Sequence, residues 1–168
     1  MEICESMITE KVKDTDAQLE ELISAHGSGL LRYCHSILLD YHEAQDVVQS
    51  TFIKAYTKIS TAHAGKTYGA WLYRVAYTGC IDILRRRKFT SLFTSKKENV
   101  YTQEYFISEN VWSMLSQLSP RDRALVFSHT VEGYEFSQLE AVYGASAQTL
   151  RKRYERAKNK LAKLIKED

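Results

Sequence analysis

The sequence has little proline and glycine and few cysteines. One proline and seven glycines among 168 residues are too few for folds with many tight turns, so helices are favoured over β-sandwiches and barrels. Three widely spaced cysteines without a CxxC pair argue against a disulfide framework and against an all-cysteine zinc site. The sequence shows no secretory signal and no run near the roughly 20 apolar residues of a membrane span. We therefore expect an all-α, cytoplasmic chain.

Enzyme motifs are missing as well. The five histidines have no HExxH spacing, no glycine-rich phosphate loop occurs, and no nucleophile stands beside a base. His35 and His42 are seven residues apart, but we expect a helix break at Asp40 to separate them. The sequence therefore predicts no catalytic residue, no metal ligand, no cofactor and no small-molecule substrate.

Charge is distributed in alternating blocks along the chain. Residues 1–50 carry a net charge of −7, residues 51–88 carry +7, residues 89–145 carry −3 and residues 146–168 carry +5. Either basic block alone could be a solvated helix face. Two basic blocks, each on a helical pattern, predict contact with a polyanion at two separate places.

Apolar residues recur at three- and four-residue steps through most of the chain, which predicts amphipathic helices. Gly27 and Gly29 are expected to break or bend the first of them. Asp40 stands three residues before Glu43, a capping-box spacing that predicts a new helix start.

The periodicity is lost in one segment, and this loss predicts two small helical domains joined by a linker. We place the first domain at residues 19–88, the linker at 89–110 and the second domain at 111–166. Within the second domain, Ser119 and Pro120 form a good N-cap and first-turn pair for a helix.

The end of the chain has the layout of a helix-turn-helix. A helix from about Glu135 is expected to stop at Gly144, and Ser146 is expected to cap a long helix. At 100° per residue, the face opposite Leu150 carries Gln148, Lys152, Glu155, Arg156 and Asn159, with Thr149, Arg151 and Arg153 beside it. This face predicts that the long helix enters a DNA major groove. The alternative is that the two helices form a hairpin that serves only for packing.

These motifs resemble those of one protein family, the bacterial extracytoplasmic-function (ECF) sigma factors. Residues 40–52, DYHEAQDVVQSTF, resemble the stretch D-x-x-x-A-E-D-L-V-Q-E-T-F of that family. Residues 70–76, AWLYRVA, and 81–87, IDILRRR, are similar to its A-W-L-Y-R-I-A and I-D-L-L-R-R-R. Residues 118–123, LSPRDR, match the opening of its second domain, and residues 132–134, 144–146 and 149–158 match its helix-turn-helix. The resemblance spans about residues 19–166.

The resemblance implies a transcription initiation factor without an active site. Its partners would be core RNA polymerase, through the clamp helices and the flap, then promoter DNA and an anti-sigma factor. The first domain would dock on the clamp and open the minus-ten element, with the loop from Thr61 to Tyr68 capturing a flipped base. The second domain would read the minus-thirty-five element.

The resemblance also assigns residues to each of these roles. It assigns polymerase binding to Asp46, Gln49 and Ser50, while Phe52 is expected in the core. It assigns contact with minus-ten DNA to Tyr73, Arg74, Tyr77, Thr78, Arg85 and Arg86. Trp71, Leu72 and Val75 are expected in the core. It assigns contact with minus-thirty-five DNA to Gln148, Thr149, Arg151, Lys152, Arg153 and Arg156.

A helix-turn-helix regulator that binds duplex DNA without polymerase is the alternative function. The polar face with Asp46 and Gln49 separates the two, because a simple repressor does not need it. Three residues depart from the family pattern: Thr78 stands where asparagine is common, Tyr77 where a basic residue is frequent, and Glu140 where a small residue packs. A buried unpaired carboxylate is costly, so we expect a rotated helix or a Glu140–arginine pair.

Overall fold

The computed structural model of the protein describes residues 2–61, 68–91 and 109–167, and these residues form helices and no strand. The helices are α1 (Glu2–Leu38), α2 (Tyr41–Thr61), α3 (Gly69–Ser91), α4 (Glu109–Ser116), α5 (Pro120–Thr130), α6 (Phe136–Tyr143) and α7 (Ala147–Glu167). The all-α prediction is confirmed. In the three described ranges no helix is both long and apolar enough to cross a membrane.

Two predicted segments fall largely outside the described residues. They are residues 62–67 of the loop assigned to base capture and residues 92–108 of the linker. Helices α1–α3 form the first half of the molecule, and helices α4–α7 form the second half.

Helix α1 continues through both glycines, so the predicted break at Gly27 and Gly29 is wrong. Gly29 is buried against the side chains of Tyr73 of α3 and Glu132 of the turn between α5 and α6, and this packing outweighs the weak helix preference of glycine. The helix ends instead at Leu38, because Leu39 takes a left-handed φ of 56°. The Asp40 carboxylate then accepts a hydrogen bond from the Glu43 amide (2.9 Å) and begins α2 as predicted.

The helix ends of the second half follow the local sequence signals. Ser119 accepts a hydrogen bond from the Asp122 amide (3.2 Å) at the start of α5, and Pro120 occupies the first turn. Gly133 and Gly144 adopt positive φ values of 73° and 64°, in the turns before and after α6. Glycine adopts this conformation with little strain, so Gly133 suits the turn between α5 and α6 and Gly144 suits the turn of the helix-turn-helix.

One apolar core joins the two halves of the molecule. Fully buried residues of α1 and α3 pack with fully buried residues of α5, α6 and α7, among them Leu30, Ile37, Leu72, Leu125, Leu139 and Leu150. A smaller cluster of Leu115, Leu118 and Ala157 packs α4 on α7. The two predicted domains therefore meet in a shared core in this structure.

A buried arginine of α5 strengthens this junction. The Arg123 guanidinium donates to the carbonyls of Leu118 (2.8 Å) and of Ile37 at the end of α1 (2.6 Å). Carbonyls at a helix C-terminus lack intrahelical partners and carry partial negative charge, so a guanidinium is well placed there. Burial and the nearby Arg87 lower the pKa of Arg123 to about 10, which leaves it charged at neutral pH. The sequence pattern had not placed Arg123 on the buried side of α5.

Candidate nucleic-acid and protein interfaces

A polar strip runs along the outer face of α2. Asp46, Gln49 and Ser50 are all exposed, as their assignment to a protein interface requires. Phe52 is 8% exposed and packs in the core, as predicted. The opposite face of α2 carries the buried Ala44, Val47, Thr51 and Ala55, so the polar strip is rigidly presented to solvent.

Two further residues belong to this strip and were missed. Ile53 is 64% exposed and lies seven residues after Asp46, on the same helical face. Tyr56 is exposed as well, and the Asp16 carboxylate of α1 raises the pKa of its hydroxyl. A seven-residue step from Asp46 could have found Ile53. It is the most exposed apolar side chain of α2 in the described part of the chain, which suits a protein partner.

The second surface is the cationic face of α3. Arg74, Thr78, Arg85 and Arg86 are exposed, and Arg85 pairs with Asp82 at 3.3 Å. Both of these partners are at least half exposed, so the pair is weak and leaves Arg85 able to bind phosphate. Arg87 differs, since its guanidinium pairs with Glu43 and donates to the Leu38 carbonyl (3.0 Å).

Two tyrosines of α3 do not lie on that exposed face. Tyr73 is 3% exposed and donates a hydrogen bond to Glu132 of the second half (3.2 Å). Tyr77 is half-buried, with its ring 4.9 Å from the ring of Tyr143. The expectation that these rings are accessible to DNA therefore does not hold in this arrangement, because α6 and the turn before it cover them. Of the three residues of α3 expected in the core, Leu72 is buried and Trp71 and Val75 are half-buried.

The helix-turn-helix forms the third surface. Ser146 accepts a hydrogen bond from the Thr149 amide (3.3 Å) and so caps α7 as predicted. In the described part of the chain, Glu140 does not form the expected pair with an arginine. Its exposed carboxylate accepts a hydrogen bond from the Ala147 amide (2.5 Å) at the N-terminus of α7. A carboxylate is favourable at that positive helix end, which explains why α6 carries a glutamate there.

The outer face of α7 is basic and free of apolar bulk. The exposed residues Gln148, Thr149, Arg151, Lys152 and Arg156 line it, and the buried Leu150 and Ala157 hold the opposite side in the core. Arg153 differs from the rest of this set, since it is half-buried and pairs with Asp122 of α5 at 3.2 Å. Its guanidinium fixes α7 to α5, and the other side chains remain available to a groove.

The described residues hold no group of three or more histidine, cysteine or acidic side chains suited to a metal ion. His35 and His42 lie on different helices, α1 and α2, on either side of the turn at Leu39 and Asp40. His63 lies outside the described residues.

Two family models match this chain, one in each half of the molecule. The family model described as Sigma-70 region 2 matches residues 22–90, which include α2 and nearly all of α3. The model described as Sigma-70, region 4 matches residues 108–161, which include the helix-turn-helix.

Curated relatives and a solved structure agree with these matches. The chain is 24% identical over 154 residues to the ECF RNA polymerase sigma factor SigE of Mycolicibacterium smegmatis, covering 84% of this chain and 59% of that protein. It is 32% identical over 89 residues to the ECF RNA polymerase sigma factor SigW of Bacillus subtilis, covering 50% of this chain and 47% of that one. The chain thus spans about half the length of these relatives. The fold is similar to that of the sigma factor RpoE in complex with the anti-sigma factor NepR from Bartonella quintana, with a TM-score of 0.72 and 23% identity over 93% of this chain and 99% of that one.

Proposed function

From the premise that this chain belongs to the ECF sigma factors of the sigma-70 family, we propose that it directs core RNA polymerase to specific promoters and initiates transcription there. In this role it works in the cytoplasm, supplies binding surfaces and catalyses no reaction of its own. The observation that carries the proposal is the presence of three solvent-exposed surfaces, on α2, α3 and α7, on one scaffold.

The strip on α2 is the surface for polymerase. Asp46, Gln49 and Ser50 offer polar contacts and Ile53 offers an exposed apolar anchor. An apolar side chain ringed by polar groups is the usual composition of a protein-binding patch. A regulator that acts on duplex DNA alone has no use for such a strip, and this favours the sigma factor over the regulator.

The faces of α3 and α7 are the surfaces for promoter DNA. Arg74, Arg85 and Arg86 suit the phosphates near the minus-ten element, and α7 suits the major groove of the minus-thirty-five element. Neutralising phosphates releases counterions, so binding by both faces should weaken steeply with salt.

A partner that restrains the factor is the third element of the proposal. The similar sigma factor RpoE was solved with an anti-sigma factor bound, and the same faces that bind polymerase and DNA would serve such a partner here. We therefore infer that an anti-sigma factor binds this chain.

Transcription by purified core polymerase tests the proposal. The full chain is added to core enzyme on the DNA upstream of its own gene, and run-off transcripts are measured with and without it. Transcripts that require the chain support the sigma factor. Promoter binding without any transcript would favour the duplex-binding regulator.

The double variant Asp46→Ala with Gln49→Ala tests the α2 strip. We expect it to lose core-polymerase binding in a pull-down while its helicity by circular dichroism is unchanged, because both side chains are exposed. The matched control is Glu21→Ala with Ser24→Ala, which also removes one acid and one polar group from an exposed helix face. Equal polymerase binding by both double variants would show that α2 is not the docking surface.

A further inference from the structure

A single carboxylate of the second half is held by two helices of the first half. Glu132, in the turn between α5 and α6, pairs with Arg32 of α1 at 3.4 Å. Its other oxygen accepts the hydrogen bond of the Tyr73 hydroxyl of α3. The Glu132 side chain is only 16% exposed, so these charge-assisted contacts are largely shielded from water and stronger than surface pairs.

The position of Gly29 shows that this contact depends on a close fit. A Cβ atom at Gly29 would lie 3.0 Å from both the Glu132 carboxylate and the Tyr73 hydroxyl. The carboxylate can therefore approach α1 this closely only because residue 29 has no side chain. At Gly27, one half-turn earlier, a Cβ would meet only Ile23 at an ordinary 3.7 Å.

A second contact lies beside the first. The Tyr143 hydroxyl of α6 bonds to the Tyr33 hydroxyl of α1 (3.0 Å) and to Ser128 (2.7 Å), all within one buried network. The Tyr143 ring also covers Tyr77. The two tyrosines of α3 that were assigned to minus-ten DNA are thus both covered by the second half.

We propose that Glu132, Arg32 and Tyr73 form an intramolecular latch, which holds the factor in a closed state with its minus-ten tyrosines hidden. The closed state competes with DNA for Tyr73 and Tyr77, and opening of the latch is required before α3 can contact the melted strand. This inference rests on the proposed function. Burial and the Glu132 carboxylate raise the pKa of Tyr73, which keeps its hydroxyl protonated as the donor that the latch needs.

Amide hydrogen exchange of the full chain tests the latch without polymerase or DNA. In Glu132→Gln the ion pair is lost while the side-chain size is kept, so exchange in residues 29–38 and 69–80 should rise roughly tenfold. Tyr73→Phe, which removes only one hydroxyl, should raise exchange in the same segments by a smaller factor. The control Glu20→Gln neutralises an exposed acid of α1 and should leave both segments unchanged.

A second measurement separates the latch from the proposed function. The probe is a single-stranded oligonucleotide carrying the non-template minus-ten sequence of the promoter found by transcription, and Glu132→Gln should bind it roughly tenfold more tightly. Faster exchange without tighter binding would keep the latch and contradict the DNA role of the two tyrosines. Exchange equal to wild type in both Glu132→Gln and Tyr73→Phe would overturn the latch, whatever the transcription assay shows.

Discussion

At the scale of single residues, we expect alanine substitutions at Gly27 and Gly29 of α1 to have different effects on stability. Gly27→Ala should raise the free energy of unfolding by roughly 0.5–1 kcal/mol, because alanine favours the helix and the new methyl meets only Ile23 at an ordinary 3.7 Å. Gly29→Ala should leave the free energy of unfolding unchanged or lower it, because the new methyl group would crowd the side chains of Glu132 and Tyr73. Urea unfolding of the two variants beside wild type measures the difference. Equal gains at both positions would mean that the Glu132 carboxylate does not need this space.

Side chains whose exposure is set by the period of their own helix were predictable from the sequence. Asp46 and Gln49 are exposed because α2 buries its other face, and the helical period shows this directly. The sequence did not indicate the partners of Glu140, Arg153 and Tyr73, because each side chain bonds to a group on another segment. Those partners depend on tertiary packing, which a single sequence does not display.

At the scale of elements, α7 offers a test that separates base contact from phosphate contact. Gln148→Ala or Lys152→Ala should cost about 1–3 kcal/mol of promoter binding and change the preference at particular base pairs, because bidentate base contacts are specific. Arg156→Ala should weaken all sequences alike and reduce the salt slope by about one. Binding of the full chain to promoter fragments is measured by fluorescence anisotropy at several salt concentrations.

A control for this test lies on the same helix. Arg153→Ala removes a guanidinium that pairs with Asp122, so it should lower stability and leave base preference unchanged. Unaltered affinity and salt slope in a triple alanine variant at 148, 152 and 156 would remove α7 from DNA recognition.

Helix ends were predicted better than helix continuity. Ser119, Ser146 and Gly144 act within one turn of their own position, and each was placed correctly. Gly27 and Gly29 were expected to break or bend α1, but the helix continues through both, and Gly29 is packed against Tyr73 and Glu132. Local chemistry thus sets where a helix ends, and long-range contacts set whether it continues past a weak residue.

For the whole molecule, we expect that cutting the chain does not separate its halves. Proteolysis in the predicted linker should give fragments near residues 1–90 and 110–168 that elute together from a sizing column, because they share one apolar core. Arg123→Met should let them separate more readily, since it leaves the Ile37 and Leu118 carbonyls without their donor. Arg121→Met, at an exposed position, is the control.

Two results would contradict this expectation in different ways. Wild-type fragments that elute apart would show that the shared core does not hold the halves without a covalent link. A chain that resists cleavage throughout residues 89–110 would contradict the linker.

The shared core also has a consequence for how the protein is made. Helices α1–α3 are synthesised before α5 and α6, which pack against Tyr33, and before the turn between them, which packs against Tyr73. At about 5–20 residues per second, the stretch from Ser91 to Tyr143 takes roughly 3–10 s to add. During those seconds the nascent chain exposes apolar and aromatic surface that the finished protein buries, a target for a chaperone. Each new molecule is therefore open before it is first closed, and a polymerase that meets the nascent chain meets it with α3 uncovered.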